Sequence, residues 1–452
     1  MLWRNTSKMK MYQFALRTCS SNIITTNSST AADTTGKENS YNYNSQFLSA
    51  NDITISEMKK YASAYMGLDR GYKPLKEPRT HLLKLLPESQ DELPVRKMCD
   101  SFSTAVIPLK DDKELQEKYV TVNGNVRLGR LMEDMDVFAV WVTYKHILNP
   151  RQKPEDYSPY VIVTLLIDRM SFTSFQPKSD ANIHLSGHVS WVGKSSIEVM
   201  VWAEQYVHGT WEKITRALFL TAARNSNNDG PAVVNRLMPV SESEKKIFNG
   251  GENRRKNRIL RQQASLLKVV PNSEEQQVIH DLFLKTVDKR DPTIHRRTLP
   301  PDSEWMDDHV YNSIVYGHPE ERNMHDKIFG GFLMRNALEL AWMSAGMYSK
   351  YRPELLHISD IHFQKPVNVG SVINMHAHVV YTERNYVQMA VFADVLDPVT
   401  SHNITTNSFQ YTFENPVEVY RILPRSYSDA MLYIDGRRHF QKVMRLLPKS
   451  NL

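Results

Sequence analysis

Cysteine is almost missing from this 452-residue chain: only Cys19 and Cys99 occur, and they are too far apart for a CxxC motif. A disulfide framework and a cysteine-ligated zinc site are therefore excluded as organising features. Long apolar runs are also missing. No stretch of 18 apolar residues occurs, which excludes an ordinary membrane-spanning helix. There is no H-E-x-x-H metal motif and no G-x-S-x-G elbow, so zinc-protease and Ser-His-Asp hydrolase chemistry have no foothold. Acidic residues are absent from the first 32 positions, which carry Arg4, Lys8, Lys10 and Arg17, with Ser, Thr and Asn crowding residues 18–31. A basic, acid-free, Ser-rich start without the apolar core of a secretory signal reads as a mitochondrial transit peptide, pointing to the matrix rather than the inner-membrane surface. A plain disordered tail is the alternative.

The remaining composition suits a globular protein of two or three domains, with 41% apolar residues and a net charge of +6. Residues 20–50 are polar and read as disordered; residues 51–66 can hold a short helix; continuous folded sequence is expected from about residue 95. A charged stretch from Ser241 to Gln263 contains Arg254, Arg255, Lys256, Arg258 and Arg261. No aromatic residues interleave with these cations, so a solvated linker is a better reading than a nucleic-acid contact. The expected division is a transit peptide (1–32), an extension (33–94), a first domain (95–228), a linker with helical segments (229–302), a second domain (303–416) and a C-terminal extension (417–452).

An internal repeat orders the two domains. Val189–Glu204 lies over Val379–Asp394 at a shift of 190, so that Val189 meets Val379, Ile197 meets Val387 and Trp202 meets Phe392. Both copies place β-branched and aromatic residues around a short polar break, the pattern of a hairpin. Upstream, Leu128–Thr143 lies over Gly330–Ala345 at a shift of 202. Leu131, Met135, Phe138 and Val142 fall on one helical face. Each copy thus has a helix first and antiparallel strands afterwards. A helix of about 18 residues spans ~27 Å, enough to cross a curved sheet.

Gly330 and Gly331 stand side by side at the entrance to the second helix. The N–H groups of a first helical turn have no acceptor inside the helix, and glycine leaves them bare enough to hold an oxygen that gains charge. Close packing of two backbones would call for the same pair. His376 and His378 share one strand face, but without a third ligand a surface pair is the simpler reading and no metal is expected.

Three features together resemble the double hotdog acyl-coenzyme A thioesterases: N-x-x-x-x-x-F-G-G-x-L-M at Asn323–Met334, VGKSS at Val192–Ser196, and the duplication itself. The resemblance covers about residues 95–420. It implies an α+β fold in which each of two repeats wraps a curved antiparallel sheet around a long helix. It implies acyl-coenzyme A as substrate, coenzyme A being part of that substrate with no separate cofactor, and a homo-oligomer, with a trimer of two-domain chains as one form. In the family the acid lies seven residues beyond the second glycine, which is Asp136 in the first copy and Leu338 in the second. The motif asparagine shows the reverse: Asn323 in the second copy answers to Thr121 in the first. The resemblance therefore implies one composite site, with Asp136 from one helix and Asn323, Gly330 and Gly331 from the other, and a dead site opposite. Asp136 would act as general base or as nucleophile. Glu339 is a rival acid, and a solvated helix carboxylate is the plainer account of Asp136. Gly193, Lys194, Ser195 and Ser196 would lie beside the coenzyme, although a hairpin turn favours the same residue types. A hotdog hydratase or dehydratase and a non-catalytic acyl-coenzyme A binder are the competing functions.

Overall fold

The computed structural model describes residues 53–66, 79–173, 175–290, 293–323, 327–396 and 403–446. The transit-peptide expectation lies outside these residues. The described residues begin with helix α1 (Ile55–Met66), short helices α2 (Met98–Ser101) and α3 (Lys113–Tyr119), strand β1 (Ser103–Ile107) and the long helix α4 (Leu128–His146). Strands β2 (Tyr160–Phe172), β3 (Ile183–Val192), β4 (Ser196–Val207) and β5 (Thr210–Asn225) complete the first copy. Helices α5 (Glu242–Gln263) and α6 (Ser273–Lys285) and the short strand β6 (Ser303–Trp305) lead to the second copy. That copy holds β7 (Val310–Tyr316), α7 (Gly330–Ser349), β8 (Glu354–Phe363), β9 (Val372–Glu383), β10 (Tyr386–Leu396) and β11 (Asn403–Glu414); β12 (Arg421–Leu423) and α8 (Tyr427–Leu446) close the described chain.

One ten-stranded antiparallel sheet runs β1-β3-β4-β5-β2-β8-β11-β10-β9-β7. Its two halves are the same arrangement reversed, and they join where β2 pairs with β8. The join is centred near Arg169↔Ser359, with Leu166↔His362 on one side and Ser171↔His357 on the other. The register fixes the duplication. Val192 pairs with Ile197 and Thr382 with Val387, which preserves the shift of 190. The turn before each helix closes alike: Thr121 N–H donates to Asn125 O, and Asn323 N–H to Lys327 O, a shift of 202.

Helix α4 buries the expected face, with Leu131, Met135, Phe138 and Val142 fully enclosed. Most of its other side chains are buried too, because the sheet wraps it and α7 packs alongside. Such an all-round buried helix contributes roughly 1.5–3 kcal/mol per large side chain.

Two parts differ from expectation. Packed structure starts well before residue 95: α1 buries Ile55, Met58 and Ala62, and Tyr65 meets Tyr144 edge-on at 5.4 Å. The Ser241–Gln263 stretch is helical, as a linker with helical segments would be, but its single helix α5, opened by a capping box between Ser241 and Glu244, also packs on the sheet. Two of its cations, Arg254 and Arg258, face the sheet. Arg254 pairs with Glu198 at 2.6 Å and Arg258 approaches Asp168 at 3.6 Å. The physical reason is charge complementarity with carboxylates buried on β2 and β4, which the local sequence of α5 does not reveal. α8 sits on the second half of the sheet in the same manner, with Gly436 against Val380 as Gly251 lies against Trp191.

Candidate active site between the two long helices

Asp136 lies two turns into α4 and is 2% exposed. Its Oδ2 accepts a hydrogen bond from the Gly331 N–H at the start of α7, at 3.0 Å. Its Oδ1 accepts from the Thr164 hydroxyl of β2, at 2.7 Å. Burial pushes its carboxyl up to about 6; the Thr164 and Gly331 donors oppose the rise, and neighbouring Glu133 adds to it. The other two acids of the same stretch are neutralised by cations. Glu133 pairs with Arg130 at 3.0 Å and Arg335 at 3.2 Å, and Asp134 is held by Lys59 and the Tyr119 hydroxyl. Asp136 is thus not a solvated helix acid; it is a buried carboxylate held by uncharged donors.

The close-packing reading of the glycine pair holds. A Cβ on Gly331 would come within 3.0 Å of the Glu133 backbone, so the two helices touch there through backbone. A Cβ on Gly330 would strike the Phe363 ring at 2.9 Å and lie 3.5 Å from Asp136 Oδ2. The expectation that both amides stand bare needs correction: the Gly331 N–H is engaged with the carboxylate, because the negative charge of α4 meets the positive end of α7. Asn323 lies in the turn leading to α7, where its Oδ1 accepts from Lys327 N–H at 3.2 Å.

The mirror position is built differently. Gly129 faces Arg335, with a Cβ 3.1 Å from its Cγ, and Leu338 stands where Asp136 stands. Thr164 pairs with Thr221, which lies opposite Ile197; in the second copy Leu355 pairs with Phe413, which lies opposite Val387. Leu355 is therefore the counterpart of Thr164. The second copy lacks the acid and the hydroxyl together. Glu339, the rival acid, is drawn into an ion pair with Arg127 at 2.5 Å. Thr164 is the site residue that the sequence did not disclose: a threonine inside "VIVTLLI" is ordinary strand composition, and only the sheet register puts it under Asp136.

The β3–β4 turn is closed by a Gly193 N–H bond to Ser196 O at 2.8 Å. Beside it opens a cleft of about 580 Å³ lined by Gly193, Lys194, Ser195 and Ser196, and also by Arg236 and Arg255. Glu252 pairs with Arg255 at 3.3 Å, and Asp91 with Arg236 at 2.8 Å. The last two cations come from the segment after β5 and from α5. Ser196 pairs with Ala222 on β5, and Thr221 next to it pairs with Thr164. The Ser196 and Thr164 backbones thus lie two strand spacings apart, ~10 Å. In the second copy Thr382 Oγ1 instead accepts from Ile422 N–H, and Arg384 O accepts from Val419 N–H. His376 bonds Asn312 at 2.7 Å and His378 packs on Phe392.

Two long helices, enclosed by one sheet of two reversed halves, make this a double hotdog protein. No family model matches the chain. It is 40% identical over 403 residues to acyl-coenzyme A thioesterase 9, mitochondrial, of Mus musculus, covering 88% of this chain and 91% of that one. It is 41% identical over 367 residues to the Homo sapiens protein of the same name, covering 81% and 83%. A solved structure of an acyl-ACP thioesterase from Bacteroides thetaiotaomicron is similar at 10% identity and a TM-score of 0.41, over 70% of this chain and 98% of that one. The chain belongs to the acyl-coenzyme A thioesterase family.

Proposed function

We propose that this chain hydrolyses acyl-coenzyme A thioesters in mitochondria, on the matrix side, at one composite site shared by its two halves. The observation that carries the reading is the bond from Gly331 N–H of one half to Asp136 of the other. A carboxyl held near 6 is ionised at neutral pH yet basic enough to take a proton from water, which suits a general base. Asp136 removes that proton as the water oxygen attacks the thioester carbonyl carbon. The first turn of α7 at Gly330, with Asn323, receives the carbonyl oxygen as it gains charge. Collapse of the adduct breaks the carbon–sulfur bond, and the proton on Asp136 passes to the departing thiolate. Lys194, Arg236 and Arg255 meet the phosphates of the coenzyme, with Gly193, Ser195 and Ser196 along its arm. A homo-oligomer, a trimer of two-domain chains, completes the proposal.

Free-thiol release from saturated acyl-coenzyme A, set beside the same assay on 2-enoyl thioesters, tests this. Release that is lost in Asp136→Asn is expected. Hydration of the enoyl substrate without thiol release, or tight binding without turnover, overturns it. In single turnover in heavy-oxygen water, label is expected in the acid product alone; label in the Asp136 carboxyl would make it a nucleophile.

A further inference from the structure

The last three turns of α5 and the segment after it carry a feature that, apart from Arg255, the proposed reaction does not use. From Asn253 to Ser273 there is no Asp or Glu, while Arg254, Arg255, Lys256, Arg258, Arg261 and Lys268 all occur. Arg254 and Arg258 turn inward to Glu198 and Asp168, and Arg261 reaches Asp168 at 3.7 Å. Lys256 and Lys268 face outward. Around them stand aliphatic side chains that the fold leaves uncovered: Ile259, Leu260, Leu267, Val269 and Val270, with Leu267 97% and Val270 74% exposed. Lys256 and Leu260 are one helical turn apart and share a face.

This is a built surface rather than a loose end. The turn after α5 is closed by Lys268 and Val269 N–H bonds to Ser265 O, at 2.8 and 2.9 Å. Its start is fixed by Arg438 donating to Ala264 O at 3.0 Å, and its end by Gln276 donating to Pro271 O at 2.7 Å. A fixed turn that presents aliphatic tips amid uncompensated positive charge needs an occupant that is apolar inside and negative at its surface. We propose that the end of α5 and the turn after it form a docking face for an anionic phospholipid bilayer. The aliphatic tips enter the headgroup–acyl boundary while Lys256 and Lys268 meet lipid phosphates. Nucleic acid fits less well, since no aromatic residue lies in the stretch to stack on bases. One turn back, α5 contributes Arg255 to the coenzyme cleft, so docking would bring that cleft toward the surface where acyl chains partition.

Co-sedimentation of the full chain with phosphatidylcholine vesicles, with and without phosphatidylglycerol, tests this. Binding is expected only to the anionic vesicles and is expected to weaken with added salt. Leu267→Ser/Val270→Ser and Lys256→Gln/Lys268→Gln should each weaken it by about tenfold or more, with hydrolysis of a water-soluble short-chain thioester unchanged. Equal binding to neutral vesicles, no binding at all, or full binding by both variants would overturn the proposal. So would an altered mass of the Leu267→Ser/Val270→Ser protein in size-exclusion light scattering, which would make the face a contact between copies. Capture of single-stranded RNA in place of vesicles would also end it.

Discussion

The two halves of the molecule share a strand order, a helix and a turn geometry, yet differ at the two positions that make a carboxylate usable. The first half has Asp136 and Thr164; the second has Leu338 and Leu355. The second half keeps its glycine pair against backbone, while its mirror, Gly129, abuts the side chain of Arg335. Duplication inside one chain lets each half drop what the other supplies. A symmetric pair of identical chains would have to keep every part in both.

Asp136→Asn is the sharpest test of this asymmetry. Thiol release is expected to fall by about 10²–10⁴-fold, while Leu338→Met leaves it unchanged. Moving the acid across, in Asp136→Asn/Leu338→Asp, should not restore activity, because Leu355 offers no hydroxyl. Restored release would break the comparison.

The same substitution should act on stability in the opposite direction. The folded carboxyl titrates near 6 against 3.8 when free, because burial disfavours its charge. Stability is therefore greatest below about pH 4 and falls as pH rises from about 4 to about 6, by roughly 3 kcal/mol in total. Asp136→Asn should be the more stable protein above pH 6, with the difference vanishing below pH 4 in urea unfolding.

Gly331→Ala should cost about 1–3 kcal/mol, since the new methyl meets immovable backbone, whereas Gly129→Ala meets a flexible arginine and should cost less. Thermal melts of the pair check this. The rate is expected to rise with pH through about 6 as Asp136 ionises. Thr164→Val removes a donor that favours the charged form, so that limb should move to higher pH. The smallest effect is expected from Lys194→Gln: KM for acyl-coenzyme A rises a few-fold at low salt, with the acyl-pantetheine KM unmoved.

The duplication was legible because two stretches kept their apolar spacing: Val189–Glu204 against Val379–Asp394, and Leu128–Thr143 against Gly330–Ala345. Repetition at a fixed shift is independent of any single residue's propensity, so it survives where local preference is ambiguous. The Asp136–Gly331 meeting followed from the resemblance to the thioesterase family, whose acid position was counted along the two copies. Thr164 was illegible since its role depends on a partner strand more than 50 residues away, at Thr221. The docking of α5 was hidden for the same reason: Arg254 looks like a solvated charge until Glu198 is placed beneath it. α1 was underestimated because its few apolar residues gain value only against α4.

On the proposed reading of the site, the Gly331 N–H also sets when chemistry can begin. A ribosome delivers Asp136 about 195 residues before the amide that steadies it. Until the later helix emerges and docks, the earlier half carries an acid without its fixed partner, and the proposed site is incomplete.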